Sequence, residues 1–181
     1  RYGSFTLDQV SFSVPGGSIV GFIGENGAGK TTTLRLILDE IPRDGGRVSV
    51  FGRDNREQGS EVREEIGVVF DECHFHEMFT PGEIGKILSR CYRCWDGELY
   101  RSLLSRFALP EKGKRVKELS RGMKMKLGIA AALAHHPRLL LLDEATSGLD
   151  PIVRDEMLEL LQEFVGDEEH AILFSSHITE D

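Results

Sequence analysis

The fold is decided by one stretch of the sequence, Gly24-Glu25-Asn26-Gly27-Ala28-Gly29-Lys30-Thr31. It fits the P-loop pattern G-x-x-x-x-G-K-[ST], in which glycines let backbone N–H groups turn toward phosphates without Cβ clashes. The apolar run 18–23 predicts a strand before the loop, and residues 32–38 predict a helix after it. A helix that begins at the loop adds unpaired N–H groups and the positive end of its dipole. This strand–loop–helix context predicts a site for the phosphates of a nucleotide.

The P-loop also supplies two side chains with specific roles. The Lys30 ammonium can reach the β- and γ-phosphates, where it offsets the charge that develops in phosphoryl transfer. The Thr31 hydroxyl is a hard oxygen ligand of the kind that Mg²⁺ takes. The predicted nucleotide-binding residues of this region are Glu25, Asn26, Gly27, Ala28, Gly29, Lys30, Thr31 and Thr32.

Length and composition are those of an ordinary globular domain. The 181 residues suffice for one domain with an inserted lobe, and 40% of them are hydrophobic. A formal net charge of −8 argues against a nucleic-acid partner, because nucleic-acid-binding domains usually carry a basic excess. No apolar run approaches the roughly 20 residues of a membrane helix, no secretory signal opens the chain, and the cysteines do not suggest a disulfide framework. We therefore expect a protein on the cytoplasmic side, and the lack of an initial Met leads us to expect a trimmed sequence.

Further apolar runs predict the strands of an α/β core. The four leucines of 139–142 indicate a strand that is buried on both faces, as in a parallel sheet. Near the start of the chain, residues 5–7 and 10–14 alternate apolar and polar side chains and predict short β segments. The other predicted strands are residues 47–51, 66–70 and 171–174.

The stretch 72–118 is predicted to form a helical lobe inserted into this core. Pro81 opens a helical run to about Trp95, and Asp96 caps a second helix to about Ala108. Two longer helices have their own N-caps, Ser120 for a helix to about residue 135 and Asp150, before Pro151, for the next. The predicted organisation is a single domain, 1–181, with 1–71 and 119–181 as the nucleotide-binding core and 72–118 as the helical subdomain.

Acidic side chains end the predicted strands. Asp143 and Glu144 follow the four leucines, where burial is costly unless they meet a metal or a proton. Asp143 is a candidate Mg²⁺ partner, directly or through water, and Glu144 is a candidate general base for an attacking water. Asp71 ends the strand 66–70, and it is either a further ligand at the same sheet edge or a solvated loop acid. His177 follows the last strand to this edge, where a functional role is favoured.

Other side chains carry weaker signals. Tyr2 is either an aromatic that stacks on a base or a surface tyrosine. Cys91-x-x-Cys94 lacks a second pair, so incidental thiols are favoured over a metal or redox site. The basic run 112–117 is flanked by acids and is interpreted as a solvated face. His135 and His136 suit the C-terminal end of a helix and are interpreted as structural.

Five motifs in their sequence order resemble those of the ATP-binding cassette (ABC) ATPases, and the resemblance extends over nearly the whole chain. Residues 24–31 are similar to the Walker A motif, and residues 139–144 to Walker B with its catalytic glutamate. Leu119-Ser120-Arg121-Gly122-Met123 resembles the signature motif LSGGQ, and Ser147-Gly148-Leu149-Asp150 resembles the D-loop. His177 corresponds to the switch histidine.

The sequence departs from the family pattern at two places. Asp71 stands where the family usually has the glutamine of the Q-loop. Arg121 and Met123 replace Gly and Gln in the signature, while Ser120 and Gly122 are kept, so we expect the contacts to γ-phosphate to survive.

The resemblance implies an ATPase that uses ATP and Mg²⁺ on an α/β P-loop fold, with a mainly parallel sheet, an N-terminal antiparallel β subdomain and the inserted helical subdomain. Two such subunits stack head to tail, and ATP lies between Walker A of one and the signature of the other. Tyr2 stands at the position of the adenine-stacking aromatic. The implied catalytic residues are Glu144, His177 and Lys30, the implied metal residues are Thr31, Asp71 and Asp143, and the nucleotide-binding set gains Tyr2, Ser120, Arg121, Gly122, Met123 and Asp150.

The expected function is that of an ATPase subunit at the cytoplasmic face of the membrane, with transmembrane permease subunits and a second ATPase subunit as partners. The signature and D-loop forms resemble those of bacterial exporters whose ATPase and membrane chains are separate. The helical lobe would meet the membrane subunit, and Phe75, Met78 and Phe79 are either contacts there or part of the lobe's own core. The alternative is a soluble ABC-type ATPase that acts on ribosomes or DNA. A third interpretation, a regulator with little turnover, is disfavoured by Glu144 and His177.

Overall fold

The computed structural model describes residues 6–145 and 149–176. Its strands are β1 (Ile19–Ile23), β2 (Ser49–Val50), β3 (Arg53–Asp54), β4 (Ile66–Val69), β5 (Leu139–Asp143) and β6 (Ala171–Ser176). Its α-helices are α1 (Lys30–Ile37), α2 (Gly59–Glu64), α3 (Pro81–Leu88), α4 (Gly97–Arg106), α5 (Arg121–Leu133) and α6 (Pro151–Phe164), and a short 3-10 helix spans Val116–Glu118.

Four strands of the described chain form one parallel sheet in the order β1-β6-β5-β4. β5 is buried along its whole length, as the run of four leucines predicts. Alternate residues of β5 face opposite layers of the fold. Leu140 and Leu142 pack in the core with α5 and α6. Leu139 and Leu141 pack on the other face, in the core with α1 and α2. Parallel strands end at a common edge, so the P-loop, Asp71 and the Asp143–Glu144 pair follow the carboxyl ends of their strands at the same side of the sheet.

The antiparallel part of the fold is confirmed, but it lies elsewhere than the alternating pattern suggested. β2 and β3 pair antiparallel through a two-residue turn, in which Phe51 and Gly52 both have positive φ (51° and 78°). The predicted strand 47–51 is therefore reduced to two residues. The expected strand at 10–14 is wrong, because these residues have no partner strand in the described part of the chain, and Val10 and Phe12 are exposed.

The first helix of the lobe is shorter than predicted. α3 ends at Leu88 instead of running to about Trp95. The chain turns there because it is anchored to the end of α5: the Tyr92 ring stacks on His135 with centroids 4.0 Å apart, and the Asp96 N–H donates to the Ala134 carbonyl at 2.6 Å. Tertiary contacts thus override a run of residues that can form a helix.

The three predicted N-caps are confirmed. Asp96 accepts from the N–H groups of Glu98 and Leu99, Ser120 accepts from the N–H of Met123, and Asp150 accepts from the N–H of Ile152. α5 ends at Leu133, close to the predicted end. No helix within 6–145 or 149–176 is long and apolar enough to cross a membrane.

Candidate nucleotide-binding site

The P-loop connects β1 to α1 as the sequence predicts. Gly27 and Gly29 have φ values of 83° and 97°, a left-handed conformation that side chains disfavour, and Gly29 is the N-cap residue of α1. The first turn of α1 contains no acidic residue, so no side chain of that turn offsets its exposed N–H groups. The result is a cradle of backbone donors that fits an anion.

A cavity of about 370 Å³ lies over this cradle. It brings together the predicted phosphate-binding residues and the predicted general base, which lie far apart in sequence. Its lining consists of Asn26, Gly27, Gly29, Lys30, Thr31, Thr32 and Glu144.

Lys30 is held over the loop by its own backbone. Its ammonium donates to the carbonyl oxygens of Gly24 at 2.7 Å and Glu25 at 3.1 Å, and the side chain is only 6% exposed. The carboxylate of Glu144 lies 3.4 Å away and balances the buried charge. The cation is therefore held in the cavity by the protein's own groups.

A hydrogen-bonded chain links the P-loop helix to β5 and β6. The Thr31 hydroxyl donates to Asp143 Oδ2 at 2.7 Å, and the Ser175 hydroxyl donates to Asp143 Oδ1 at 2.5 Å. Asp143 is 5% exposed, so these two donors satisfy a carboxylate that is otherwise costly to bury. A hydroxyl beside a carboxylate is a hard oxygen pair of the kind that Mg²⁺ takes.

Glu144 turns out of β5 in a left-handed conformation, with φ of 52°. Its backbone N–H donates to the Ser175 carbonyl at 3.1 Å and lies 3.2 Å from the Ser175 hydroxyl. This turn directs the Glu144 side chain to the P-loop cavity, which it lines, while the neighbouring Asp143 stays buried.

Ser175 is a site residue to which the sequence patterns assigned no role. It is fully buried and contacts both predicted Walker B acids. The signal that identifies it is its register, because it lies directly opposite Asp143 in the parallel pairing of β5 and β6.

The residues of the predicted signature lie away from the P-loop cavity. Arg121 and Asp71 line a second, larger cavity of about 620 Å³ between the end of β4 and α5, where they form an ion pair. Ser120 caps α5, and Gly122 faces Val153 of α6, where a Cβ would make an ordinary contact at 3.4 Å. Neither Asp71 nor any of Ser120, Arg121, Gly122 and Met123 lines the P-loop cavity.

Tyr2, Ser147, Gly148 and His177 lie outside the described residues. The described residues hold no cluster of three or more potential metal ligands from His, Cys, Asp and Glu. Cys91 and Cys94 are exposed free thiols. His135 is buried with Nε2 3.1 Å from the Ile66 carbonyl oxygen, and burial lowers its pKa, which fits the structural role predicted for it.

Comparison with known proteins assigns the family. A family model described as ABC transporter matches residues 7–147. The chain belongs to the ABC transporter family. This ABC-family chain is 37% identical over 179 residues to the bacitracin transport ATP-binding protein BcrA of Bacillus licheniformis, with 98% of the chain and 58% of the relative covered. It is 38% identical over 178 residues to the ABC transporter ATP-binding protein NatA of Bacillus subtilis, with 96% of the chain and 72% of the relative covered.

A solved structure shares the fold. It is a dimeric ATP-binding cassette in a post-hydrolysis state bound to ADP and Pi, and it superposes with a TM-score of 0.79 at 25% identity over 92% of this chain and 78% of that chain. The ABC-family chain spans 58% of the length of its bacitracin relative.

Proposed function

We propose that this chain is the ATP-binding and ATP-hydrolysing subunit of an ABC transporter that drives export through partner membrane subunits. The observation that carries the proposal is the P-loop cavity, in which Lys30, Thr31 and Glu144 line one backbone cradle and the buried Asp143 accepts from Thr31. The names of the relatives BcrA and NatA, which are transport and transporter ATP-binding proteins, support it.

The cradle fits the β- and γ-phosphates of ATP. The N–H groups at the start of α1 and the positive end of its dipole meet the phosphate charge, and Lys30 adds a cation at the same place. The remaining P-loop residues, Glu25 to Thr32, wrap the phosphates. In this proposal Tyr2 stacks on the adenine.

Thr31 and Asp143 fit a magnesium ion. Mg²⁺ is usually held by one or two carboxylates together with substrate phosphates, so the Asp143 carboxylate beside the Thr31 hydroxyl suits it. Thr31 and Asp143 would hold the ion, and it would supply charge neutralisation to the phosphates. Asp71, the third residue of the predicted metal set, does not line the P-loop cavity, and its carboxylate is paired with Arg121.

Glu144 is proposed as the general base. Its carboxylate lies beside Lys30 at the cavity, where it can orient a water against the γ-phosphate and accept its proton. His177, the residue after β6 in the sequence, is proposed to contact the γ-phosphate. Ser175 holds the backbone of Glu144 and the carboxylate of Asp143 in place.

The signature residues are proposed to act on the ATP of a second subunit. Ser120, Arg121, Gly122 and Met123 lie at the N-terminus of α5, away from the chain's own P-loop cavity, and a helix N-terminus is suited to a phosphate. Asp150 would contribute from the D-loop. ATP between two subunits then holds the pair together, and hydrolysis removes the charge that holds it.

The partner surface is proposed to be the helical subdomain, residues 72–118, at the cytoplasmic face of the membrane. Met78 and Phe79 are exposed by 44% and 37%, so they are available to a permease subunit, whereas Phe75 packs against the core.

The net charge of −8 argues against the alternative of an ABC-type ATPase that acts on ribosomes or DNA. Purification from the native cell distinguishes the two, because a transporter subunit is recovered with a membrane protein and a ribosome- or DNA-acting ATPase with nucleic acid.

The experiment that tests the chemistry is steady-state ATP hydrolysis by Glu144→Gln, with ATP binding measured in parallel. Loss of a general base slows turnover by roughly 10² or more while the phosphate contacts remain. Glu169→Gln is the matched control, because Glu169 is exposed and remote from the P-loop cavity. Hydrolysis by Glu144→Gln at the rate of the control would remove Glu144 from this role.

A further inference from the structure

The two places where the sequence departs from the ABC pattern are in contact. Arg121, at the first position of α5, forms an ion pair with Asp71, which follows β4. Both side chains are about half exposed, at 53% and 43%, and both line the cavity of about 620 Å³. The pair joins residues that are 50 positions apart in sequence.

Arg121 occupies an electrostatically unfavourable position in its own helix. The N-terminus of α5 carries the positive end of the helix dipole, and the first turn of α5 contains no acidic residue. Asp71 supplies from another element the negative charge that the helix lacks. Its carboxylate therefore offsets the guanidinium charge at this helix end.

The same helix end carries Ser120, which the proposed function places at the γ-phosphate of the second subunit's ATP. A carboxylate and a phosphate are both anions that a guanidinium binds through paired N–H groups, so they compete for the same side chain. Lys124 of α5 is a second cation that lines this cavity.

We infer that Asp71 sets the ATP concentration at which two subunits associate, by occupying Arg121 in the unpaired subunit. When the second subunit presents its ATP, Arg121 exchanges the carboxylate for phosphate oxygens. The inference rests on the proposed head-to-tail pairing. Removal of the Asp71 carboxylate is expected to strengthen ATP-dependent association, whereas removal of a metal ligand would weaken it.

The test measures subunit association by light scattering as ATP is titrated with Mg²⁺ into the full-length protein that carries Glu144→Gln. The inference predicts that Asp71→Asn lowers the half-maximal ATP concentration about two- to fivefold, the range expected for removing one exposed ion pair. Arg121→Gln raises that concentration. In a protein that already carries Arg121→Gln, Asp71→Asn has almost no further effect on the half-maximal ATP concentration, because Asp71 then has no guanidinium to pair with.

The matched control is the ion pair Arg106–Glu163, which is exposed to a similar degree and joins α4 to α6. Glu163→Gln leaves the half-maximal ATP concentration unchanged. An unchanged or raised ATP requirement for Asp71→Asn overturns the inference and leaves the proposed pairing intact. If Glu144→Gln alone does not associate at saturating ATP, the proposed pairing fails, and the inference fails with it.

Discussion

Ser175→Ala is the perturbation that best tests how the site is organised. The Ser175 hydroxyl donates to a buried carboxylate oxygen of Asp143 at 2.5 Å and lies 3.2 Å from the backbone N–H of Glu144. A hydrogen bond to a charged group contributes about 1.5–3 kcal/mol. We therefore expect Ser175→Ala to lower the free energy of unfolding by about that amount.

The catalytic effect follows from displacement of the two acids. Misplacing catalytic groups by about 1 Å can cost up to 10² in rate, and each 1.36 kcal/mol corresponds to about a tenfold change. We expect kcat for ATP hydrolysis to fall about tenfold or more. KM should stay within about twofold, because the contacts of Lys30 with the P-loop do not involve Ser175.

The assay is steady-state hydrolysis with varied ATP, together with urea unfolding. Thr33→Val is the matched control: it also removes a buried hydroxyl, one that donates to the Gly29 carbonyl and not to Asp143. A Ser175→Ala enzyme with unchanged kcat would refute the claim that Ser175 positions Asp143 and Glu144.

Two further predictions concern stability. The buried Asn55 side chain donates to the last carbonyls of α1, at Leu36 and Ile37, and accepts from Arg43. Because Asn55→Leu leaves these buried groups without their partner, it should lower the free energy of unfolding by about 2–5 kcal/mol. Urea unfolding measures this, with the exposed Gln162→Ala as control, and a loss below about 0.5 kcal/mol would contradict it. Burial lowers the pKa of His135 in the folded protein. Below about pH 6.5 this histidine is therefore protonated more in the unfolded chain than in the folded one, so the free energy of unfolding falls as the pH is lowered. The loss between pH 7.5 and 5.5 should be smaller for His135→Gln, and equal losses in the two proteins would argue against this assignment.

Local signals in the sequence predicted those parts of the fold that local interactions determine. The caps Asp96, Ser120 and Asp150 act within three residues, and the leucines of 139–142 require burial wherever their strand pairs. The P-loop belongs to the same class, since its motif and its flanking elements are contiguous.

Long-range contacts account for what the sequence did not predict. α3 ends early because Tyr92 stacks on His135, which is distant in sequence. The role of Ser175 depends on the register between β5 and β6, and the pairing of Asp71 with Arg121 depends on where β4 ends relative to α5. Neither the register of β5 and β6 nor the Asp71–Arg121 ion pair can be predicted from a periodicity or a motif in the sequence.

The measurement that tests the central claim most directly is the molar mass of Glu144→Gln in solution, with Mg²⁺ and either ATP or ADP. Because ATP is proposed to lie between the P-loop of one subunit and Ser120 of the other, the protein should be monomeric without nucleotide and with ADP, and dimeric with ATP. A protein that binds ATP through Lys30 and stays monomeric at saturating ATP would contradict ATP-dependent pairing of these subunits.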